Sequence, residues 1–108
     1  MLVWMGAAMV AGCHSAAPPS QLLQQQAEGQ RLFAVGCAHC HELNDLRLKQ
    51  VPPDLHGVFR RAALPDGAPA TDAEVEQILQ TGKGMMPSFT YQMTASQMDA
   101  VVAYLHVY

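Results

Sequence analysis

Charge is scarce in this chain, and positive charge scarcest: 6 Lys and Arg face 9 Asp and Glu, and charged residues are 14% of the sequence. With a formal charge of −3 there is no broad basic field, so DNA and RNA are not expected as partners. Aromatic residues are only 6% of the 108 positions, and a chain of this length makes one small domain with a modest core. Such a domain needs a staple: a disulfide, a metal or a large apolar cofactor. Alternating strand patterns and internal repeats are both missing, which sets sheet-based folds aside. Long apolar runs are missing too. Residues 2–12, LVWMGAAMVAG, would rise about 16 Å as a helix, roughly half of a bilayer core, and cannot span a membrane. The 3 cysteines, Cys13, Cys37 and Cys40, are where a staple is to be sought.

The apolar run ends in small residues directly before Cys13, the layout of a secretory signal with its cleavage site. Val10-Ala11-Gly12-Cys13 resembles a bacterial lipobox, which implies that Cys13 is lipidated and becomes the first residue of the mature protein. The run departs from that pattern in having no Lys or Arg ahead of it. The alternative is a buried N-terminal helix with an incidental cysteine. Residues 14–26 combine a proline pair, small residues and glutamines, and read as a tether grading into a helix, with His14 solvated. The expected division is a signal peptide over 1–12, a lipidated cysteine and flexible tether over 13–24, and a folded domain over 25–108.

Cys37-Ala38-His39-Cys40-His41 is a C-x-x-C-H run, the attachment signature for c-type haem. Two thiols three positions apart on a helical turn can add to the two vinyl groups on one porphyrin edge, which aims the adjacent His41 at the iron. His39 points away on this geometry and receives no role. Two rivals remain. A thioredoxin-like C-x-x-C requires a βαβ setting, and a zinc site requires four ligands where no second paired motif is present.

The flanks organise the rest of the chain. Gly29 falls inside a helical stretch, where glycine costs about 1 kcal/mol relative to alanine, and so marks a place where another helix crosses closely. Thr94-Ala95-Ser96-Gln97 is a capping box ahead of Met98, Val101, Val102 and Leu105 at i, i+3, i+4 and i+7, with Tyr104 beside the stripe. A second box, Thr71-Asp72-Ala73-Glu74, opens a helix with Val75, Ile78 and Leu79 inward, stopping near Thr81-Gly82. Lys83 to Phe89 is then a loop broken by Gly and Pro that presents methionine thioethers. Leu64-Pro65-Asp66-Gly67 reads as a surface turn. Leu43 to Gln50 is uninformative.

Over about residues 25–108 the sequence resembles the class I cytochrome c family. The residues that carry the resemblance are the C-x-x-C-H run, Gly29 and Phe33 ahead of it, Met86-Pro87-Ser88-Phe89, and Pro52 to Arg61 with proline for the first glycine of a G-P-x-L-x-G segment. The resemblance implies an all-α cytochrome c fold with three main helices, near 25–38, 72–81 and 95–106, around one covalent haem c. It implies His41 as proximal and Met86 as distal iron ligand, with Met85, or packing alone, as the alternatives. Pro53, which has a carbonyl and no N–H, would accept a bond from the far nitrogen of His41. Leu55 would pack on the proximal face, Arg60 or Arg61 would meet a propionate, and Tyr104 would pack where the terminal helices cross over Gly29 and Phe33. Iron held by His and Met has no open position for a substrate. The expected protein is therefore not an enzyme and takes no small-molecule substrate. It is a lipid-anchored periplasmic electron carrier with a redox protein as donor and another as acceptor. A haem sensor with a labile Met86, or an electron-entry subunit of a larger oxidoreductase, are the other readings.

Overall fold

The computed structural model describes residues 18–108. The expected signal peptide, Cys13 and His14 lie outside the described residues. Four helices follow one another: α1 (Pro19–Gly36), the single turn α2 (Ala38–His41), α3 (Asp72–Thr81) and α4 (Ala95–Leu105), with a 3-10 turn at Val58–Arg60 between α2 and α3. Among the described residues there is no strand, only the isolated bridges Ala63 to Pro69 and Lys83 to Met86. The architecture is all-α. No helix among the described residues is long and apolar enough to cross a membrane.

Helix α1 begins at Pro19 rather than near residue 25. Proline is tolerated at the first helical position because its missing N–H has no intrahelical partner there, and the Leu and Gln that follow are good helix formers. The early turns are exposed; Gly29, Leu32 and Phe33 are the buried residues of this helix. It stops at Gly36 instead of running to 38, because Cys37 leaves helical geometry (φ −120°, ψ −41°) before α2 restarts.

The terminal helices cross at Gly29. A Cβ built there would lie 1.9 Å from Ala100 O and 2.7 Å from Tyr104 Cβ, so only glycine lets the two backbones approach this closely. Helix α4 starts with a complete capping box: Thr94 Oγ1 accepts from the Gln97 N–H at 3.2 Å, and the Gln97 side chain accepts from the Thr94 N–H at 2.9 Å. Its inward stripe, Met98, Val101, Val102 and Leu105, is buried. In α3 only half of the expected box forms, Thr71 Oγ1 accepting from the Glu74 N–H at 3.3 Å. That helix buries Val75 and Leu79 and ends at Gly82 with φ +71°. The loop from Leu64 is less superficial than its Pro-Asp-Gly composition implies. Gly67 N–H does close a turn onto Leu64 O at 2.8 Å, but the Leu64 side chain is buried in the core. An apolar residue at the first corner of a polar turn anchors it inward.

Candidate cofactor site

The attachment turn is built by the break at Cys37. Cys40 N–H and His41 N–H both donate to Cys37 O, at 3.2 and 2.9 Å, which brings Cys37, Cys40 and His41 onto one turn of backbone. Both thiols are free. Cys37 is buried, and burial, with Cys40 beside it, pushes its thiol up to about 11; Cys40 is half-buried.

His41 Nδ1 lies 2.9 Å from Pro53 O. A carbonyl oxygen only accepts, so Nδ1 carries the proton and the lone pair of the neutral ring sits on Nε2, the nitrogen free to bind iron. The loop that brings Pro53 to this position is braced from within: Val58 N–H donates to Leu55 O at 3.1 Å, and Arg61 donates to Asp54 O at 3.3 Å and His56 O at 2.9 Å. Arg61 thus serves the loop first, with the rest of its five N–H donors left for another acceptor. Leu55 is half-buried against the core, and the Arg60 guanidinium lies over Gly57. Next to His41 is an open cleft of about 510 Å³ lined by Glu42, Val51, Pro52, Asp54 and His56 as well as His41 itself. His39 does not line this cleft and pairs with Asp45, Nδ1 to Oδ2, at 2.7 Å.

Met86 reaches the core from a different segment and does not line the His41 cleft. Its loop is a two-residue hairpin in which Lys83 and Met86 exchange both main-chain hydrogen bonds at 2.9 Å, with positive φ at Gly84 (+56°), the first central residue, as type II′ turns require. The turn separates the adjacent methionines. Met86 packs against the core while Met85 is 77% exposed. Lys83 also pairs with Asp66, and this partner, followed by the Ala68 N–H, holds the Asp66 carboxyl below the usual carboxylate range.

Several contacts around the site have no counterpart in the motif reading. The Tyr108 phenol donates to Glu42 Oε1, and its ring stacks on His56 with centroids 3.9 Å apart. Burial and that carboxylate raise the phenol's pKa. Tyr104, expected at the helix crossing, meets Phe33 edge-on at 5.5 Å. An i, i+4 aromatic pair, Tyr104 and Tyr108, was the available sequence signal for the second tyrosine. His106 likewise stacks on Phe59 at 3.9 Å and pairs with Asp72 at 2.6 Å.

A helical domain with two free thiols and an oriented histidine on one short turn has the donor set that thioether attachment requires, and defines a cytochrome c domain. Residues 24–105 match the family described as cytochrome c oxidase, cbb3-type, subunit III, and the chain belongs to that family. It is a cytochrome c family protein, whose domain binds haem c covalently and serves haem-based electron transfer. No solved structure gives a significant match to the chain.

Proposed function

We propose that the chain is a monohaem, class I type electron carrier whose axial pair is His41 and Met86, working outside the cytoplasm between a redox-protein donor and acceptor. The observation that carries this reading is the His41 Nδ1 to Pro53 O contact of 2.9 Å, which leaves Nε2 as the free lone pair beside Cys37 and Cys40. When bound, haem c supplies a one-electron couple. Cys37 and Cys40 would hold it through thioethers, Pro53 would make His41 a more basic ligand through the Nδ1 bond, and Leu55, half-buried against the core, would help exclude water. The Met86 thioether, on a loop held by the main-chain bonds between Lys83 and Met86, would be the second ligand to the iron and would favour its reduced state. With both ligands in place, no substrate binds and the module catalyses nothing alone. Arg61, beyond its bonds to Asp54 O and His56 O, would be available to a propionate.

Cys13 tethers the domain to a membrane as a lipidated first residue, so that the protein faces the periplasm. Replacing it, Cys13→Ser, is expected to abolish incorporation of radioactive fatty acid and move the holoprotein from the membrane fraction. An unlabelled parent chain in a lipoprotein-competent host defeats the tether.

The axial pair is tested with adjacent methionines. Met86→Ala should abolish the weak near-infrared thioether-to-iron band of the ferric protein, lower its potential and let ferrous iron bind carbon monoxide, while Met85→Ala changes these only slightly. The reverse pattern moves the ligand to Met85, and carbon monoxide binding by the unmutated protein favours a sensor. The family match favours one further reading, an electron-entry subunit of an oxidase. Co-purification with an oxidase core separates that subunit from a free carrier.

A further inference from the structure

Tyr108 joins the two segments whose hydrogen bond orients His41. One is the turn Ala38–His41, continued by Glu42, and the other is the loop through Pro53 and Gly57. The Tyr108 phenol donates to Glu42 Oε1, next to His41 in the chain, while its main-chain carbonyl accepts from the Gly57 N–H at 2.8 Å. The ring lies on His56 (3.9 Å, 23°) and against Phe33 (4.7 Å) and Tyr104 (5.4 Å).

The chain between His41 and Pro53 is irregular, and its own hydrogen bonds close between Asn44, Arg47 and Leu48 and from Asp45 N–H to His39 O, without reaching Pro53. The Arg61 bonds brace the loop only against itself, since Asp54, His56 and Arg61 all belong to it. Tyr108 ties that braced loop to the turn bearing the histidine and to the crossing of α1 and α4. We infer that Tyr108 is a positioning residue for His41: through Glu42 on one side and Gly57 and His56 on the other, it sets the length and angle of the bond to Pro53. The inference rests on the reading of His41 as an iron ligand. Because that bond raises the basicity of the imidazole, loosening it weakens electron donation to iron and raises the reduction potential.

The test uses the holoprotein, with nuclear magnetic resonance of the His41 ring and a redox titration. In the unmutated ferric protein, hyperfine-shifted His41 resonances establish the ligand; their absence removes the ligand reading and this inference with it. Tyr108→Phe keeps the ring stack and deletes the phenol bond. Exchange of the His41 Nδ1 proton should then quicken roughly two- to tenfold, the range of one ordinary hydrogen bond, and the potential should rise. Glu42→Gln, which keeps a carbonyl acceptor for the phenol, should restore values near those of the parent, whereas Glu42→Leu should match Tyr108→Phe. The inference is overturned if Tyr108→Phe leaves both exchange and potential unchanged with His41 hyperfine-shifted. It is equally overturned if the faster exchange follows global unfolding, or if Glu42→Gln shifts as far as Glu42→Leu.

Discussion

Replacing Gly29 by alanine sets two effects of known size against each other. Helix propensity alone favours alanine by about 1 kcal/mol. Against it stands the crossing of α1 and α4, where the new Cβ would lie 1.9 Å from Ala100 O and 2.6 Å from Ala100 C, although real Cβ atoms essentially never approach closer than 3.0 Å. The obstructing atoms belong to the backbone of α4 and to Tyr104 Cβ, not to the end of a flexible side chain. Relief therefore requires the helices to part by about 1 Å (3.0 − 1.9), which loosens Phe33 and Tyr104 along the whole seam. Overpacking of this kind costs about 1–3 kcal/mol, and backbone obstruction belongs at the upper end. Subtracting the propensity gain leaves a loss of about 2 kcal/mol, or about 8–16 °C in Tm for a domain of this size. Thermal melts of the holoprotein followed by far-ultraviolet circular dichroism measure it. Gly36→Ala is the control, since its Cβ would meet side-chain atoms alone, the terminal Cε of Met93 at 3.1 Å and Phe89 Cε1 at 3.8 Å, and should shift Tm by a few degrees at most. A Gly29→Ala protein that melts at or above the parent temperature refutes the close crossing.

Losing either thiol, in Cys37→Ala or Cys40→Ala, should weaken or prevent covalent haem retention on a denaturing gel stained for haem. The double variant should retain little folded protein, and a cooperative helical melt without haem would contradict the stapled fold. Acid should weaken the Lys83–Asp66 pair on the loop that carries Met86. Asp66 has its pKa lowered in the folded chain by Lys83, so the stabilisation is complete above the ordinary aspartate value of about 3.9 and is lost as pH falls through the lower folded value. That part of the acid dependence of Tm should vanish in Asp66→Asn, and identical acid profiles would rule the clamp out.

Short-range patterns in the sequence were sufficient for the attachment turn and for the existence of every main helix. C-x-x-C-H needs only consecutive residues, and the capping threonine at Thr94 acts three positions ahead, so the chemistry and its signal occupy the same few residues. The Gly29 signal worked for a related reason: a helix-disfavouring residue in a helix is a local anomaly with a tertiary cause. Even so, the sequence reading starts α1 near residue 25 where the helix begins at Pro19, because a proline reads equally as the end of a tether and as a first helical position.

What only the tertiary structure decided depends on residues far apart in the chain. Both methionines of the Met85-Met86 pair could present a thioether, and their different exposure follows from the turn at Gly84 and from what packs against it. Arg61 stays exposed, yet the carbonyls of Asp54 and His56 lie within its reach once the loop closes. Leu64 looks like a turn residue until the core forms behind it. Tyr108 meets Glu42 across a separation of 66 residues, and no local pattern encodes such a contact. It exists because α4 lies across α1, and that crossing brings the end of α4 against the turn that begins at Cys37.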